Sequence, residues 1–196
     1  MELIKQGLEF VMDILETIVF VGSLFIVLYL FILQPSMVKG PSMEPTFYTD
    51  DHIFVSKLTY KLRPIQRGDV VVTHSPRNPD IELIKRVIGL PGDKLLFREG
   101  SVYLNGMLLQ EKYLADDTPV WDGGYVKEDQ AITIPPESLF IMGDNRPRSS
   151  DSREFGPIPT SSVVGHVFFR YYPPSKIGTI KNTFPAGLQA LFSFYI

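Results

Sequence analysis

Val102-Tyr103-Leu104-Asn105-Gly106-Met107-Leu108-Leu109 is the stretch that decides the fold class of this chain. A type I′ turn needs positive φ at both of its central residues, and asparagine followed by glycine adopts that conformation with little strain. Apolar residues flank the pair on both sides. The stretch therefore predicts a β-hairpin, two short antiparallel strands joined by a two-residue turn.

Several other windows resemble the arms of this hairpin, because they alternate or run apolar over a few residues and end in turn residues. The chain carries 15 glycines and 16 prolines, a content that is typical of many turns and short strands. No long window beyond residue 39 has helical periodicity, so we expect a mainly β domain of packed antiparallel sheets or a barrel. Residues 111–129 lack periodicity and are expected to form an insertion loop away from the core. The further strand windows are 53–56, 70–73, 81–90, 94–97, 131–134, 139–142 and 163–172.

An apolar run near the N-terminus, TIVFVGSLFIVLYLFIL at residues 17–33, predicts a transmembrane helix. At about 1.5 Å per residue it covers roughly 26 Å, the lower end of what spans a bilayer. A buried core helix and a cleaved signal peptide are the alternatives. The segment before the run is acidic and large residues follow it, which argues against a signal peptide with its basic start and small-residue cleavage site.

Three regions follow from this reading of the chain. Residues 1–16 form a short amphipathic N-terminus, residues 17–38 the membrane anchor and its exit, and residues 39–196 the β domain. Lys5 and Lys39 nearly balance across the anchor, so charge alone leaves its orientation undetermined. The apolar tail at 186–196 is too short to span and is expected to pack on the core, with contact to lipid as the alternative.

Composition excludes several classes of function. A net charge of −3 provides no basic surface for nucleic acid, and the absence of cysteine removes catalytic thiols, disulfides and cysteine-based zinc sites. His52, His74 and His166 are scattered without the spacing of a metal site or a triad, and each is expected to be an ordinary surface or core histidine. We expect no metal and no cofactor.

Ser42 is the candidate nucleophile, in the segment GPSMEPTF at residues 40–47. Pro41 and Pro45 restrict the backbone on both sides of the serine, and Gly40 allows close backbone approach. The hydroxyl would then be presented in one conformation just beyond the membrane anchor. The alternative is an ordinary loop serine.

Lys85 is the candidate base, because a serine hydroxyl needs a proton acceptor before it can attack a carbonyl. The two-residue period of the strand at 81–90 puts Lys85 on the same face as apolar neighbours such as Leu83 and Val87. Burial there would favour the neutral amine by lowering its pKa. The alternative, which spacing leaves open, is that Lys85 and Arg86 extend from a strand edge into water.

A polar cluster at residues 143–156, GDNRPRSSDSREFG, directly follows the strand window at 139–142. One interpretation is a solvated loop whose charges pair among themselves. The other is that a hydroxyl from this loop orients the lysine amine, with Asp151 and Arg153 bracing the loop.

Four segments in this order resemble type I signal peptidases, the membrane-anchored Ser/Lys leader peptidases of bacteria. They are GPSMEPTF at 40–47, RGDVVV at 67–72, IKRVIGLPGD at 84–93 and the block from GDNR to SSDSREFGP at 143–157. Together they span most of the domain beyond the anchor. No single segment carries the resemblance alone.

The resemblance implies a role for particular residues. Ser42 would be the nucleophile, Lys85 the general base and Ser149 the hydroxyl that positions the lysine, while Asp144, Asp151 and Arg153 would support the site. It also implies a mainly β fold, a cytoplasmic N-terminus, and a catalytic domain on the far side of a bacterial cell membrane or of an internal membrane such as the thylakoid. The substrates would be precursors that carry signal peptides, cut after small side chains at the first and third positions before the bond.

One position departs from part of the family. Some members carry a serine two residues before the nucleophile that helps bind the oxyanion, and this chain has Gly40 there. The resemblance then implies that backbone N–H groups, such as that of Ser42, bind the oxyanion.

Two rival functions remain at this stage. A Ser/Lys protease that cleaves itself or a regulatory partner, as LexA-like repressors do, would need no membrane anchor and would carry a DNA-binding segment. A membrane-tethered β domain that only binds exported peptides would make Ser42 and Lys85 incidental.

Overall fold

The computed structural model describes residues 2–31, 33–182 and 184. Helix α1 (Glu2–Phe31) precedes the β domain, and the part at Ile4–Val27 is long and apolar enough to cross a membrane. The described residues of the expected lead-in (1–16) and of the expected anchor (17–33) form one continuous helix up to Phe31, whereas Leu33 belongs to the first strand. The apolar tail at 186–196 lies outside the described residues.

Short antiparallel strands make up most of the remaining regular structure, and each strand window expected from the sequence is present. Two single-turn helices, α2 (Thr59–Leu62) and α3 (Ser152–Phe155), interrupt them. Within the described residues the strands are β1 (Leu33–Met37), β2 (His52–Ser56), β3 (Val70–His74), β4 (Glu82–Gly89), β5 (Lys94–Arg98), β6 (Ser101–Leu104), β7 (Met107–Leu108), β8 (Ile132–Thr133), β9 (Ser138–Met142), β10 (Ile158–Pro159), β11 (Val163–Tyr172) and β12 (Gly178–Thr179).

The strands form two antiparallel sheets. The larger has the order β1-β2-β11-β3-β4-β9-β10, with β12 paired to β11, and the smaller has the order β7-β6-β5-β8. The sequence did not predict β1, β10 and β12, because these strands are short or contain proline. The expectation of a mainly β fold of antiparallel sheets with one N-terminal apolar helix is confirmed.

The hairpin predicted from Asn105-Gly106 is confirmed as β6 and β7. Asn105 has φ 49° and Gly106 has φ 84°, the two positive values that a type I′ turn requires. Leu104 pairs with Met107, and Tyr103 pairs with Leu108. Asn105 also accepts a hydrogen bond from the N–H of Lys94, which ties the turn to β5.

Residues 111–129 contain no helix or strand but do not lie away from the core. Val126 is fully buried in the cluster between the two sheets, and Tyr113 and Val120 pack against the same cluster. Thr118 is buried as well. We call this segment the strap, because it crosses the loop at 143–156 and is bonded to it at several points described below.

Candidate active site

Ser42 and Lys85 come from distant parts of the chain and meet beside the larger sheet. Lys85 lies on β4, which pairs with β3 and β9, and Ser42 lies in the loop between β1 and β2. Ser42 Oγ and Lys85 Nζ are 2.8 Å apart, and Nζ also donates to the carbonyl of Ile84 at 3.0 Å. The loop serine and the strand lysine, 43 residues apart in the chain, are within hydrogen-bonding distance.

Lys85 is buried, with 3% of its surface exposed, so the alternative in which it extends into water is wrong. Burial lowers the pKa of Lys85 from 10.5 to about 8. The carboxylates of Asp151 and Asp144 oppose that change by favouring the ammonium, and the Arg153 guanidinium adds slightly to it. A substantial fraction of the amine is therefore neutral near pH 8, which is what proton abstraction from a serine requires.

Arg86, the neighbour of Lys85, points to the other face of β4 and is fully buried. Its guanidinium makes a bidentate pair with Asp144 at 2.6 and 2.8 Å, and it donates to the carbonyl of Gly68. Thr46 Oγ1 donates to the same carboxylate at 2.5 Å. Asp144 thus joins β4 to the loop that carries Ser42. The alternative in which Arg86 extends into water is wrong.

Asp151 and Arg153 brace the loop at 143–156. Asp151 accepts from the backbone N–H of Gly143 at 3.0 Å and pairs bidentately with Arg153. Arg153 also donates to the carbonyls of Arg146 and Pro119, the second of which belongs to the strap. Both charged side chains are essentially inaccessible to water, so their bonds hold the loop in one conformation.

Ser149 lies next to the nucleophile, but its hydroxyl is not hydrogen-bonded to Lys85. Its Oγ is buried and has no hydrogen-bond partner in the part of the chain that the structure describes. A Cβ on Gly143 would collide with both Ser149 Oγ and the carbonyl oxygen of Ser42. These three residues are therefore in close contact, and only glycine fits between the two serines.

Arg146 and Glu111 complete the site, and the sequence did not single out either of them. Arg146 is fully buried, pairs with Glu111 at 2.5 and 2.9 Å, and donates to Thr118 on the strap. It also donates to the carbonyl of Gly143 at 3.0 Å. A buried arginine is stable only with a carboxylate partner, but the partner lies 35 residues away, where the sequence carries no signal for it.

The backbone around the nucleophile leaves a donor free. The carbonyl of Ser42 accepts from Asn145 N–H at 3.0 Å, whereas the N–H of Ser42 has no acceptor among the described residues. Gly40 has φ 83°, and a Cβ placed on it would point into open space. A side chain is thus absent at Gly40 for conformational reasons rather than for lack of room.

A groove of about 890 Å³ runs from the dyad along the larger sheet. Its walls come from β1 and the residues after it on one side, and from residues 79–85 on the other. Within the described residues, β1 pairs only with β2, and the first residues of β4 pair only with β3, because β9 begins its pairing at Arg86. Two strand edges with free backbone groups therefore border the groove.

Within the described residues, none of the three histidines is hydrogen-bonded to Ser42 or Lys85. His166 faces Asp69 at 3.7 Å, and burial lowers its pKa. His52 packs against Tyr171 and Tyr172, and His74 bonds to the carbonyl of Pro79 at the rim of the groove. Among the described residues, no group of three or more potential metal ligands occurs.

The chain is similar to several known proteins. The family model described as "Signal peptidase, peptidase S26" matches residues 11–172. The chain is 35% identical over 178 residues to "Signal peptidase IB" of Staphylococcus aureus (strain COL), covering 84% of this chain and 92% of that protein. It is 34% identical over 157 residues to "Probable signal peptidase I-2" of Synechocystis sp., covering 78% and 69%. A crystal structure of a signal peptidase I from Enterococcus faecalis V583 shares 36% identity, with a TM-score of 0.44, and covers 53% of this chain and 97% of that one.

Proposed function

Because the chain belongs to the signal peptidase family, peptidase S26, whose members remove signal peptides as serine proteases, we propose that it cuts exported precursors with a Ser42/Lys85 dyad. The observation that carries this proposal is the 2.8 Å distance between Ser42 Oγ and the Nζ of a buried lysine. The LexA-like alternative is disfavoured by the family match, and the binding-only alternative by the lowered pKa of Lys85.

In the proposed mechanism, neutral Lys85 accepts the proton of Ser42 as Oγ attacks the scissile carbonyl. The resulting ammonium protonates the leaving amine, which departs as the new N-terminus of the mature protein. Lys85 then removes a proton from water, which attacks the acyl-enzyme and releases the signal peptide. The free N–H of Ser42 is the proposed donor to the oxyanion, and the absence of an acceptor for it supports this role.

The substrate is proposed to lie extended in the groove. A segment added between two open strand edges gains backbone hydrogen bonds on both sides, which is how β-augmentation binds peptides. Val38, Val72 and Ile84 line the groove, so apolar side chains of the substrate can pack against them. The preference for small side chains before the cut is proposed from the family alone.

The membrane arrangement is also a proposal. Helix α1 ends at Phe31 and β1 begins at Leu33, so a strand that lines the groove follows the proposed anchor closely in the sequence. Holding enzyme and precursor at one surface raises their effective concentration and limits their orientation. We place the N-terminus in the cytoplasm and the β domain outside it, at a bacterial cell membrane or an internal membrane such as the thylakoid, with signal-peptide precursors and the lipid bilayer as partners.

Substitution of the dyad tests the proposal. Ser42→Ala and Lys85→Ala should each reduce cleavage of a purified precursor in detergent micelles to background, while the circular dichroism spectrum of the full chain stays that of the wild type. An active-site acylating probe should label the wild-type protein at Ser42. Retained cleavage in either variant, with the label elsewhere, would refute the dyad.

Ser149 is proposed to orient Lys85 during the reaction. Its buried hydroxyl without a partner supports this role, because an unsatisfied buried hydroxyl costs about 1 to 3 kcal/mol of stability and its retention calls for a functional explanation. Ser149→Ala should therefore lower kcat without lowering the melting temperature. If kcat and the melting temperature fall together in this variant, Ser149 has a structural role only.

A further inference from the structure

A second cavity, of about 370 Å³, is lined in part by Ser149, which packs close to the carbonyl oxygen of Ser42. Its walls are residues 121–124 of the strap and residues 147–150 of the loop that follows Gly143, together with Glu154. We propose that this cavity, which we call the exit site, binds the first residues of the mature protein, just downstream of the scissile bond. The inference rests on the proposed function and extends it to the other half of the substrate.

Ser149 connects the exit site to the nucleophile. It lines the cavity, and its Oγ and the carbonyl oxygen of Ser42 both crowd the same point beside Gly143. Asn145 N–H, at the start of the same loop, donates to that carbonyl at 3.0 Å. The cavity is therefore bordered by a residue that packs beside the serine that would be acylated.

The direction of the substrate follows from the separation of the two cavities. None of the residues that line the groove lines the exit site, and the dyad residues line only the groove. An extended peptide advances about 3.3 Å per residue without turning back. In this proposal a chain that enters along the groove and presents its carbonyl to Ser42 continues past Ser149 into the exit site.

The walls of the exit site are held in place before any substrate arrives. The guanidinium of Arg153 lies 4.3 Å from the centre of the Trp121 ring, and the carbonyl of Trp121 accepts from Gly124 N–H. On the opposite wall, Arg77 donates to Glu154 at 2.8 Å, and Ser150 bonds to the same carboxylate. A preformed concave site of this volume is of the kind that binds a few residues of peptide.

The lining indicates the chemistry of the occupant. Asp122 and Arg148 carry opposite charges, and Glu154 is paired with Arg77, so the site has no strong preference for charge. One face of the Trp121 indole is covered by Arg153, and the rest of the half-buried ring lines the cavity. The exit site thus suits an uncharged segment with an apolar side chain that packs on this ring.

Trp121 also supplies the test, because it is the single tryptophan of the chain. The full-length Ser42→Ala protein in detergent micelles is titrated with tryptophan-free peptides while the indole emission is recorded. A peptide that spans the cut and carries a leucine among its first three downstream residues should shift or quench the emission on saturation. A peptide that ends at the cut should bind by calorimetry and leave the emission unchanged.

Opposite outcomes would separate the two proposals. If the wild-type protein cleaves the spanning peptide but the emission does not respond in Ser42→Ala, the exit site is wrong while the dyad stands. The exit site is also wrong if the peptide that ends at the cut changes the emission as much as the spanning peptide does. If the wild-type protein does not cleave the spanning peptide at all, both proposals are overturned.

Kinetics give a second, independent readout. The ratio of kcat/KM for a leucine-bearing over a glycine-bearing downstream segment should fall about tenfold in Trp121→Ala and be largely restored in Trp121→Phe. Exposure of Arg153 in Trp121→Ala would lower kcat/KM for both substrates alike, so it cancels in the ratio. Tyr125→Ala, an exposed aromatic on the same strap outside the cavity, is the matched control and should keep the wild-type ratio. An unchanged ratio in Trp121→Ala would refute the exit site.

Discussion

Replacing Lys85 by methionine should abolish cleavage and yet make the protein more stable in a pH-dependent way. Methionine keeps most of the length and apolar contact of the lysine side chain but carries no charge. Burial lowers the pKa of Lys85 from 10.5 to about 8, which means that the folded protein holds the ammonium less readily than the unfolded chain does. Lys85 therefore lowers the free energy of unfolding relative to an uncharged side chain of similar size.

The size and sign of that cost follow from linkage. A difference between pKa values of 10.5 and about 8 corresponds to about 3 kcal/mol. Below pH 8 the lysine is protonated in both states and the full penalty is present. Between pH 8 and 10.5 the unfolded chain binds more protons, so the wild-type protein gains stability relative to Lys85→Met as the pH rises, until the penalty disappears.

The measurement is the difference in stability between Lys85→Met and the wild type at pH 7 and pH 10, from chemical unfolding of the full chain in detergent micelles. We expect this difference to shrink by about 2 to 3 kcal/mol between the two pH values. The loss of the hydrogen bond to Ile84 adds an offset that does not change with pH, so the slope, rather than the absolute value, carries the test.

Lys94→Met is the matched control, because Lys94 is also a strand lysine but is exposed to water. Its stability difference from the wild type should be the same at both pH values. If the two variants show the same pH dependence, the buried amine of Lys85 is not held in its neutral form, and the assignment of Lys85 as base fails.

Three further outcomes are expected. Cleavage by the wild type should fall about tenfold per pH unit below the pKa of Lys85 near 8, and a kcat that stays level down to pH 6 would contradict a neutral-lysine base. Glu111→Gln, which removes the carboxylate partner of a fully buried guanidinium, should lower the free energy of unfolding by about 3 kcal/mol and slow cleavage. Its control, Asp129→Asn, breaks an exposed ion pair and should cost under about 1 kcal/mol; equal losses in a urea titration would contradict the role of the strap. Gly143→Ala should lose activity, because its Cβ would displace both serines, and wild-type turnover in that variant would refute the packing described around the dyad.

Much of the fold could be predicted from local patterns. Asn105-Gly106 defines a turn by backbone geometry alone, and the alternation in β4 indicates which side of the strand Lys85 takes. The proline-bounded segment around Ser42 also indicates a restricted loop. The N-terminal segment was expected to be an amphipathic lead-in followed by an apolar span, and the structure joins the two in one helix.

The support of the site could be predicted only in part. Asp144, Asp151 and Arg153 were assigned through the resemblance, and the structure pairs Asp144 with Arg86 and Asp151 with Arg153. The role of Glu111 was not visible, because it stands in a segment without periodicity and its partner is distant in the chain. The strap was expected to lie away from the core for the same reason, since loops carry no signal for what they pack against.

The sequence by itself determined the fold class, the apolar N-terminal helix and the residue types able to carry serine protease chemistry. These depend on turn geometry, on periodicity and on side-chain chemistry, all of which are local properties. Only the tertiary structure decided that Ser42 and Lys85 lie 2.8 Å apart, that the lysine is dry enough for its pKa to reach about 8, and that the strap encloses a second cavity beside them. Distance, burial and desolvation depend on elements that meet across the chain, and no local pattern encodes which ones do.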